Sequence, residues 1–337
     1  MPKKILFIAN YRAKVGGISG QVDILLSHLD KNLFETTLLN TKMSPFKRFL
    51  LFFTASFKIL KYDIIHIHAC SHLGGFFPAI FGVFLGKLFR KKIVLTYHGG
   101  DAEAFFHKYP RLVFFTLKRA DKLIVLSDFL AQIFKKYKLE VTIIPNIRLQ
   151  ESTISRNKSE IKPNFVSLRA LESLYNIDFI LDAFKEVKSK YPNAKLTLVG
   201  SGSQKDFLIE KCKTEHIESV EFVGRVPNDE VLNYLNQADI LLSAPKIDNM
   251  PISVLEAFET EVLVISSNVG GIPYMISHQE NGLLFESGNQ IDLAEKMIFA
   301  LENQTQSLEM IQKAKQTLNR YAWEENEAKF NSIYNSL

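Results

Sequence analysis

The sequence predicts an α/β chain with two mostly parallel sheets, each covered by helices. Three observations predict it. Short apolar runs alternate with amphipathic helical segments along the chain, and strands buried on both faces of a parallel sheet read as such continuous apolar runs. The alternation breaks once, at the polar stretch ESTISRNKSEIKP, and then restarts, which places a linker at about 150–163. A length of 337 residues is enough for two domain cores without a disulfide or metal staple.

In the first domain, residues 1–150, KKILFIAN is a strand, and the glycine-bearing loop of YRAKVGGISGQVDILLSHL enters a helix. DIIHIHA is a strand of alternating side chains, and KIVLTYHGG, KLIVLS and VTIIPN are three more, with helical segments between several of them. In the second domain, residues 163–320, the strands are NFVSLRA, KLTLVG, SVEFVG, DILLSA and VLVISS. NIDFILDAFKEVKSKYP, QKDFLIEKCKTE, NDEVLNYLNQ and ISVLEAFE supply helices between them, followed by IDLAEKMIFALEN and SLEMIQKAKQTLNR. WEENEAKFNSIYNSL is a last helix. Two such domains are expected to face each other across a cleft at the carboxyl ends of their sheets, where tight glycine turns and helix N-termini present unpaired N–H groups.

The net charge of +5 conceals an asymmetry: residues 1–150 hold 23 Lys and Arg against 9 Asp and Glu, the remainder 18 against 27. A basic front half suits an anionic membrane surface. Nucleic acid is not expected, because no zinc-finger spacing or aromatic-glycine RNA-binding signature accompanies the charge. Ile64–Gly86 is an uncharged run of 23 residues, long enough to span a bilayer. Its three histidines, the Gly74-Gly75 pair and Pro78 read better as strand, loop and buried helix. In SPFKRFLLFFTASFKILKYD, residues Phe46, Phe49, Leu50, Phe53, Phe57 and Leu60 share one helical face among Lys47, Arg48, Lys58 and Lys61. Such a helix covers a core or lies in a membrane interface. The opening MPKKILFIANY runs straight into a strand pattern, so no leader peptide is expected. Two distant cysteines, Cys70 and Cys212, suit a reducing compartment. The expected location is cytoplasmic, peripheral at the inner face of the membrane.

The segments GGISGQVDILLSHL, DIIHIHACSH, YHGG, VTIIPN, LTLVGSGS, EFVGRVPNDEVLNYLNQADILLSAP, DNMPISVLEAF and SNVGGIPYMI…NGLLF follow one another in order. Together they resemble the retaining glycosyltransferases with two Rossmann-like domains, the GT-B fold of the family 4 and group 1 type, and the resemblance is densest from Val166 to Phe285. It implies a nucleotide-sugar donor (a UDP- or GDP-sugar) held by the second domain and a lipid-linked or saccharide acceptor on the first. The C-terminal helix, about 322–337, would cross back to the first domain on Trp323, Phe330 and Tyr334.

The resemblance also assigns residues. Arg169 would clamp the donor diphosphate, since a guanidinium forks across phosphate oxygens. The family's accompanying lysine is replaced by Tyr175, followed by Asn176 for glycine, so the clamp rests on Arg169 alone or borrows Lys246. Gly200 and Gly202 would allow close backbone approach to phosphate or ribose, with Gly16 and Gly17 doing the same on the first domain. Arg225 and Val226 match the segment that meets the nucleobase. The family's Glu-x7-Glu appears as Asp248-x7-Glu256. Glu256 would accept the ribose hydroxyls, while Asp248 and the backbone at Asn249, Met250 and Pro251 face the transferred sugar and phosphate. Ser253 or Asn249 is expected to cap the helix.

His98 of YHGG is the expected residue near the transferred sugar, with Asp101 beside it and His68 as a polar cleft wall. His66, His68 and His72 lack a fourth ligand at metal spacing, and no Asp-x-Asp motif ends a strand, so no metal or other cofactor is expected. Glu261 stands where the family has glycine and Leu263 where it has proline. Glutamate adopts a left-handed backbone only at a cost, so the turn is expected to differ or be compensated. These departures also suggest a catalytically silent subunit working with a partner transferase. A sugar-nucleotide epimerase, which needs no acceptor, is the other alternative.

Overall fold

In the computed structural model, the structure describes residues 2–13, 17–44, 47–48, 51, 55, 57–149 and 158–337. The chain divides into two compact units, residues 1–149 with 321–337, and residues 150–320.

The first unit carries β1 (Lys3–Ala9), α1 (Ile18–His28), β2 (Phe34–Asn40), β3 (Ile64–Ala69), α2 (Leu73–Leu88), β4 (Lys92–Tyr97), α3 (Ala102–Lys108), α4 (Pro110–Leu117), β5 (Lys122–Val125), α5 (Asp128–Lys136) and β6 (Thr142–Ile143). The second carries β7 (Asn164–Ser167), α6 (Ile177–Lys190), β8 (Lys195–Val199), α7 (Lys205–Thr214), β9 (Val220–Gly224), α8 (Val231–Gln237), β10 (Ile240–Ser243), α9 (Ile252–Glu259), β11 (Leu263–Ser267), β12 (Leu283–Phe285), α10 (Gln290–Glu302) and α11 (Gln304–Thr317). The chain then returns to the first unit as α12 (Trp323–Asn335).

Both sheets are parallel. The first runs β2-β1-β3-β4-β5-β6, the second β12-β11-β10-β7-β8-β9. Each order reverses direction beside its unit's first strand, between β1 and β3 in one sheet and between β7 and β10 in the other, and opens a crevice at the carboxyl ends there. The central strands are buried on both faces: every residue of β3, β10 and β11 is inside. Helix starts are locally encoded where the sequence allows. Ser127 caps α5 by accepting from the Leu130 amide, and Asn289 caps α10 by accepting from that of Asp292.

The long uncharged run is a strand and a buried helix, β3 and α2, and among the described residues no helix is long and apolar enough to cross a membrane. On the opposite face of the same sheet, Trp323, Phe330, Ile333 and Tyr334 of α12 pack against Ile5, Phe7, Ile64 and Val94.

Two strands escaped the sequence reading. β2 is an edge strand with a half-exposed pattern rather than an apolar run, and β12 has three residues. In the Phe-rich segment, Phe46, Phe49, Leu50 and Phe53 lie outside the described residues. Of the described residues, Ala55 and Ile59 point inward, whereas Phe57 and Leu60 are 78% and 55% exposed. The described part of the predicted apolar face therefore looks outward.

Candidate active site

At the crevice of the second sheet, Arg169 follows β7 and lies against the end of β10. Its Nε and Nη2 each donate to Ser243 Oγ at 3.2 Å, and Nη2 pairs with Asp248 Oδ2 at 2.9 Å. The Tyr175 ring lies 5.2 Å from the guanidinium carbon, within cation–π range. Asp248 uses its other oxygen, Oδ1, to accept from the Asn249 amide at 2.7 Å. The guanidinium is thus held from three sides, and a point-charge lysine could not reproduce that planar arrangement.

Glycines let these loops touch. A Cβ at Gly200 would collide with the Arg169 carbonyl oxygen, and one at Gly271 with the Asn249 carbonyl oxygen. Gly202 and Gly270 are similarly crowded by the backbone of Leu171 and Asp248. The 169–172 segment is further tied to the turn after β8 by Glu172, which accepts from the Ser203 amide at 2.9 Å and from its hydroxyl at 2.5 Å. Those bonds hold the Glu172 carboxyl below its usual range. The Gly200 amide donates to the Gly224 carbonyl at 2.8 Å, which sets exposed Arg225 and half-buried Val226 just beyond β9.

Helix α9 begins at this loop. Pro251 is its N-cap and supplies no side-chain cap, and its first turn holds no acidic residue. This corrects the expected cap from Ser253 or Asn249: Ser253 lies inside the helix, its buried Oγ meeting no partner among the described residues. Uncapped amides at a helix start favour an anion. Asn249, Met250, Pro251 and Glu256 are all buried here. Lys246 is exposed, and its amide donates to the Leu174 carbonyl at 2.8 Å, next to Tyr175.

In the first unit, histidines line the carboxyl ends of β3 and β4. His66 bridges the Tyr334 hydroxyl through Nδ1 and the Thr96 hydroxyl through Nε2, both at 2.7 Å. His68 Nδ1 meets His98 Nε2 at 2.9 Å, with the rings stacked. Burial lowers the pKa of all three, to about 3 for His66 and His98, so they stand neutral. Asp101 precedes α3 without capping it. Gly17 precedes α1 with φ of 70° and, among the described residues, no atom within 4 Å of where a Cβ would stand, and Gly16 lies outside the described residues. His72 is exposed.

Residues 20–147 match the family described as Glycosyltransferase Family 4, and residues 150–317 match Glycosyl transferases group 1. The chain belongs to these glycosyltransferases. The transferase has the GT-B fold. It superposes on Anabaena HepE in complex with UDP-glucose with a TM-score of 0.81, at 16% identity over 99% of this chain and 100% of that one. Against sucrose-phosphate synthase from Thermosynechococcus elongatus the TM-score is 0.82, at 16% identity over 99% and 98%. In sequence the transferase is 22% identical to a glycosyltransferase of Methanocaldococcus jannaschii over 99% of this chain and 98% of that one. It is 24% identical to N-acetyl-alpha-D-glucosaminyl L-malate synthase of Bacillus anthracis over 76% and 70%.

The structure brings Arg169, Asp248, Asn249, Gly200, Gly202 and the start of α9 into one loop cluster of the transferase, and His68 with His98 into another. Sequence reasoning gave no role to Ser243, Glu172 or the aromatic ring of Tyr175. Ser243 ends a buried strand beside the switch point, which is the signal that could have found it. Asn176 takes the left-handed conformation, φ 46° and ψ 48°, which asparagine tolerates in place of glycine.

At Glu261 the second of the two expected outcomes, compensation, is the one found. The residue does adopt the left-handed backbone, with φ of 55°, because a Schellman turn ends α9 there. The Val262 amide donates to the Ala257 carbonyl at 2.9 Å and the Glu261 amide to that of Phe258 at 3.4 Å. Its buried carboxylate pairs with Lys315 Nζ at 2.6 Å, so the same turn forms with compensation.

Proposed function

We propose that this glycosyltransferase moves a sugar, with retention at the anomeric carbon, from a UDP- or GDP-sugar to a lipid-linked or saccharide acceptor. The observation that carries the reading is Arg169, fixed at the switch point by Ser243, Asp248 and Tyr175 beside the uncapped start of α9. A guanidinium and the amides of a helix start converging on one loop suit a diphosphate, whose charge grows as it leaves. Lys246, exposed and bonded through its amide beside Tyr175, would add a second cation. Glu256 receives the ribose hydroxyls, and Arg225 with Val226 borders the base.

A double displacement through a carboxylate needs that group free to attack. Asp248 is engaged on both oxygens, which supports same-face attack instead. The acceptor oxygen bonds to the anomeric carbon on the face the diphosphate leaves, and its proton passes to a departing phosphate oxygen. Asp248 and the 249–251 backbone orient the sugar, and His98 on the first unit offers a neutral hydrogen-bond donor to a sugar hydroxyl. No residue role here calls for a metal.

An anionic membrane surface is the proposed partner of the first unit. Phe57 and Leu60 lie among Lys58 and Lys61, and Lys91 donates to the Leu60 carbonyl at 2.9 Å. That bond brings the exposed Leu88 end of α2 close to the same patch. Apolar side chains ringed by cations suit an interface with anionic lipid. The domain at 163–320 then serves the donor and the one at 1–150 the acceptor, at the inner face of the membrane.

The test is a transfer assay across purified UDP- and GDP-sugars with and without chelator, alongside Arg169→Ala and His98→Ala. Chelator-resistant turnover that both variants impair, with only Arg169→Ala losing nucleotide affinity, supports the reading. Wild-type turnover in both variants refutes it.

A further inference from the structure

The first unit holds an imidazole pair, buried His68 and half-buried His98, of which the proposed function uses only His98. His68 is 2% exposed and contributes Nδ1 to a 2.9 Å bond with His98 Nε2. Its second nitrogen, Nε2, is buried and meets no partner among the described residues. The ring is clamped between its neighbours, with the His66 centroid 4.6 Å away, His98 at 5.2 Å and Phe7 at 6.0 Å.

A neutral imidazole carries one proton, and its position on His68 decides that on His98. Were the proton on His68 Nε2, a buried N–H would stand without an acceptor, which folded proteins avoid more strictly than an unfilled acceptor. With the proton on His68 Nδ1, the buried N–H is satisfied by His98 Nε2, and only a lone pair of His68 is left over.

We propose that His68 is a positioning residue: by donating from Nδ1 it makes His98 Nε2 an acceptor and fixes the His98 proton on Nδ1. This rests on the reading of His98 as the residue near the transferred sugar, and it adds which nitrogen does the donating. His98 then presents a fixed N–H to a substrate hydroxyl. His66 cannot substitute, because both its nitrogens are engaged, by Tyr334 and Thr96. The backbone supports the alignment: the His98 amide donates to the Ala69 carbonyl at 2.8 Å, locking the end of β4 to the residue after His68.

The tautomer is read directly by long-range 1H–15N correlation spectra of the whole protein carrying 15N-histidine, with His98 assigned by substitution. The expected wild-type spectrum shows His98 protonated at Nδ1 and His68 protonated at Nδ1. In His68→Phe, which keeps the ring volume and removes the donor, the His98 proton is no longer confined to Nδ1. In His68→Asn, whose side-chain amide donates from the same place, the His98 pattern returns. Turnover with whichever sugar nucleotide the wild type uses falls about 10- to 100-fold in kcat for His68→Phe, as for other supporting partners of a reacting group. KM stays within about twofold, and His68→Asn recovers most of the loss. A wild-type His98 protonated at Nε2, or a His98 tautomer unchanged in His68→Phe, overturns the proposal. The spectra are recorded without substrate, so their failure is separate from any failure of the transferase reading.

Discussion

The Arg169–Asp248 pair makes a prediction with an unusual sign. Asp248→Asn keeps the side chain's shape and an oxygen that can accept from the Asn249 amide but removes one negative charge 2.9 Å from the Arg169 guanidinium. At that separation the gross attraction is about 6 kcal/mol at an effective dielectric of about 20, and about 1.4 kcal/mol in bulk water. The two side chains are 11% and 21% exposed, between those limits, and desolvation reduces the net coupling to about 1–3 kcal/mol. In the wild type that coupling opposes the transfer of Arg169 to a diphosphate, and the carboxylate also repels the phosphates. Asp248→Asn therefore binds UDP or GDP more tightly, by about tenfold, while kcat falls because the sugar loses its orienting carboxylate. Calorimetric titration with the nucleoside diphosphate, at low and moderate salt, measures the first effect, and the transfer assay the second. The gain shrinks as salt rises. Nucleotide binding weakened tenfold in Asp248→Asn would refute the competition and make the carboxylate part of the nucleotide's own binding site.

Three further outcomes follow from the geometry. Glu261→Gly relieves a left-handed residue worth about 1–2 kcal/mol of strain and loses a pair between a buried carboxylate and a lysine 43% exposed, worth about 1 kcal/mol. The melting temperature rises by a few degrees, and a fall in a thermal melt would count against the strain argument. Gly271→Ala drives a Cβ into the Asn249 carbonyl, costs about 1–3 kcal/mol by overpacking, and weakens UDP binding at least about tenfold, read by unfolding and titration of the same sample. His66 is fully buried with its pKa lowered from 6.5 to about 3. The unfolded chain binds its proton first, so its contribution is intact above about pH 6.5 and is lost as pH falls toward about 3, at up to about 1.4 kcal/mol per pH unit. Denaturant unfolding at pH 7 and pH 5 shows the drop, and His66→Gln flattens it.

Much of this was legible because parallel strands buried on both faces announce themselves. ILFIA, IIHIHA and ILLS are runs that few other structures accommodate, and the motif order from Gly16 to Phe285 singled out the loops proposed to hold the donor. What escaped depended on partners far apart in the chain. Arg169 and Asp248 each had a role assigned, yet only the strand order, with β7 beside β10, makes them a pair. The same holds for His66, whose hydroxyl partners come from β4 and α12. Tyr175 read as a missing lysine, although its ring supports the arginine. Glu261 broke a rule of backbone preference, and the compensation sits on α11, where no local pattern signals it. The outward turn of Phe57 and Leu60 was hidden because Ala55 and Ile59, less conspicuous than the phenylalanines, fill the inner face.

The return of the chain to its first unit has a consequence for how the protein is made. Arg148 and Tyr321 are joined by a 2.9 Å backbone bond, so the second unit is in effect an insertion between two neighbouring points of the first. Domains emerging during synthesis ordinarily complete themselves in order from the N-terminus. Here the sheet that is translated first must wait for Trp323, Phe330 and Tyr334, all made after the second unit, before its open face is covered and the His66 imidazole gains its phenol. The second unit can mature on the ribosome while the first is still unfinished. In vivo, the apolar face formed by Ile5, Phe7 and Ile64 is therefore the surface that nascent-chain chaperones have to shield longest.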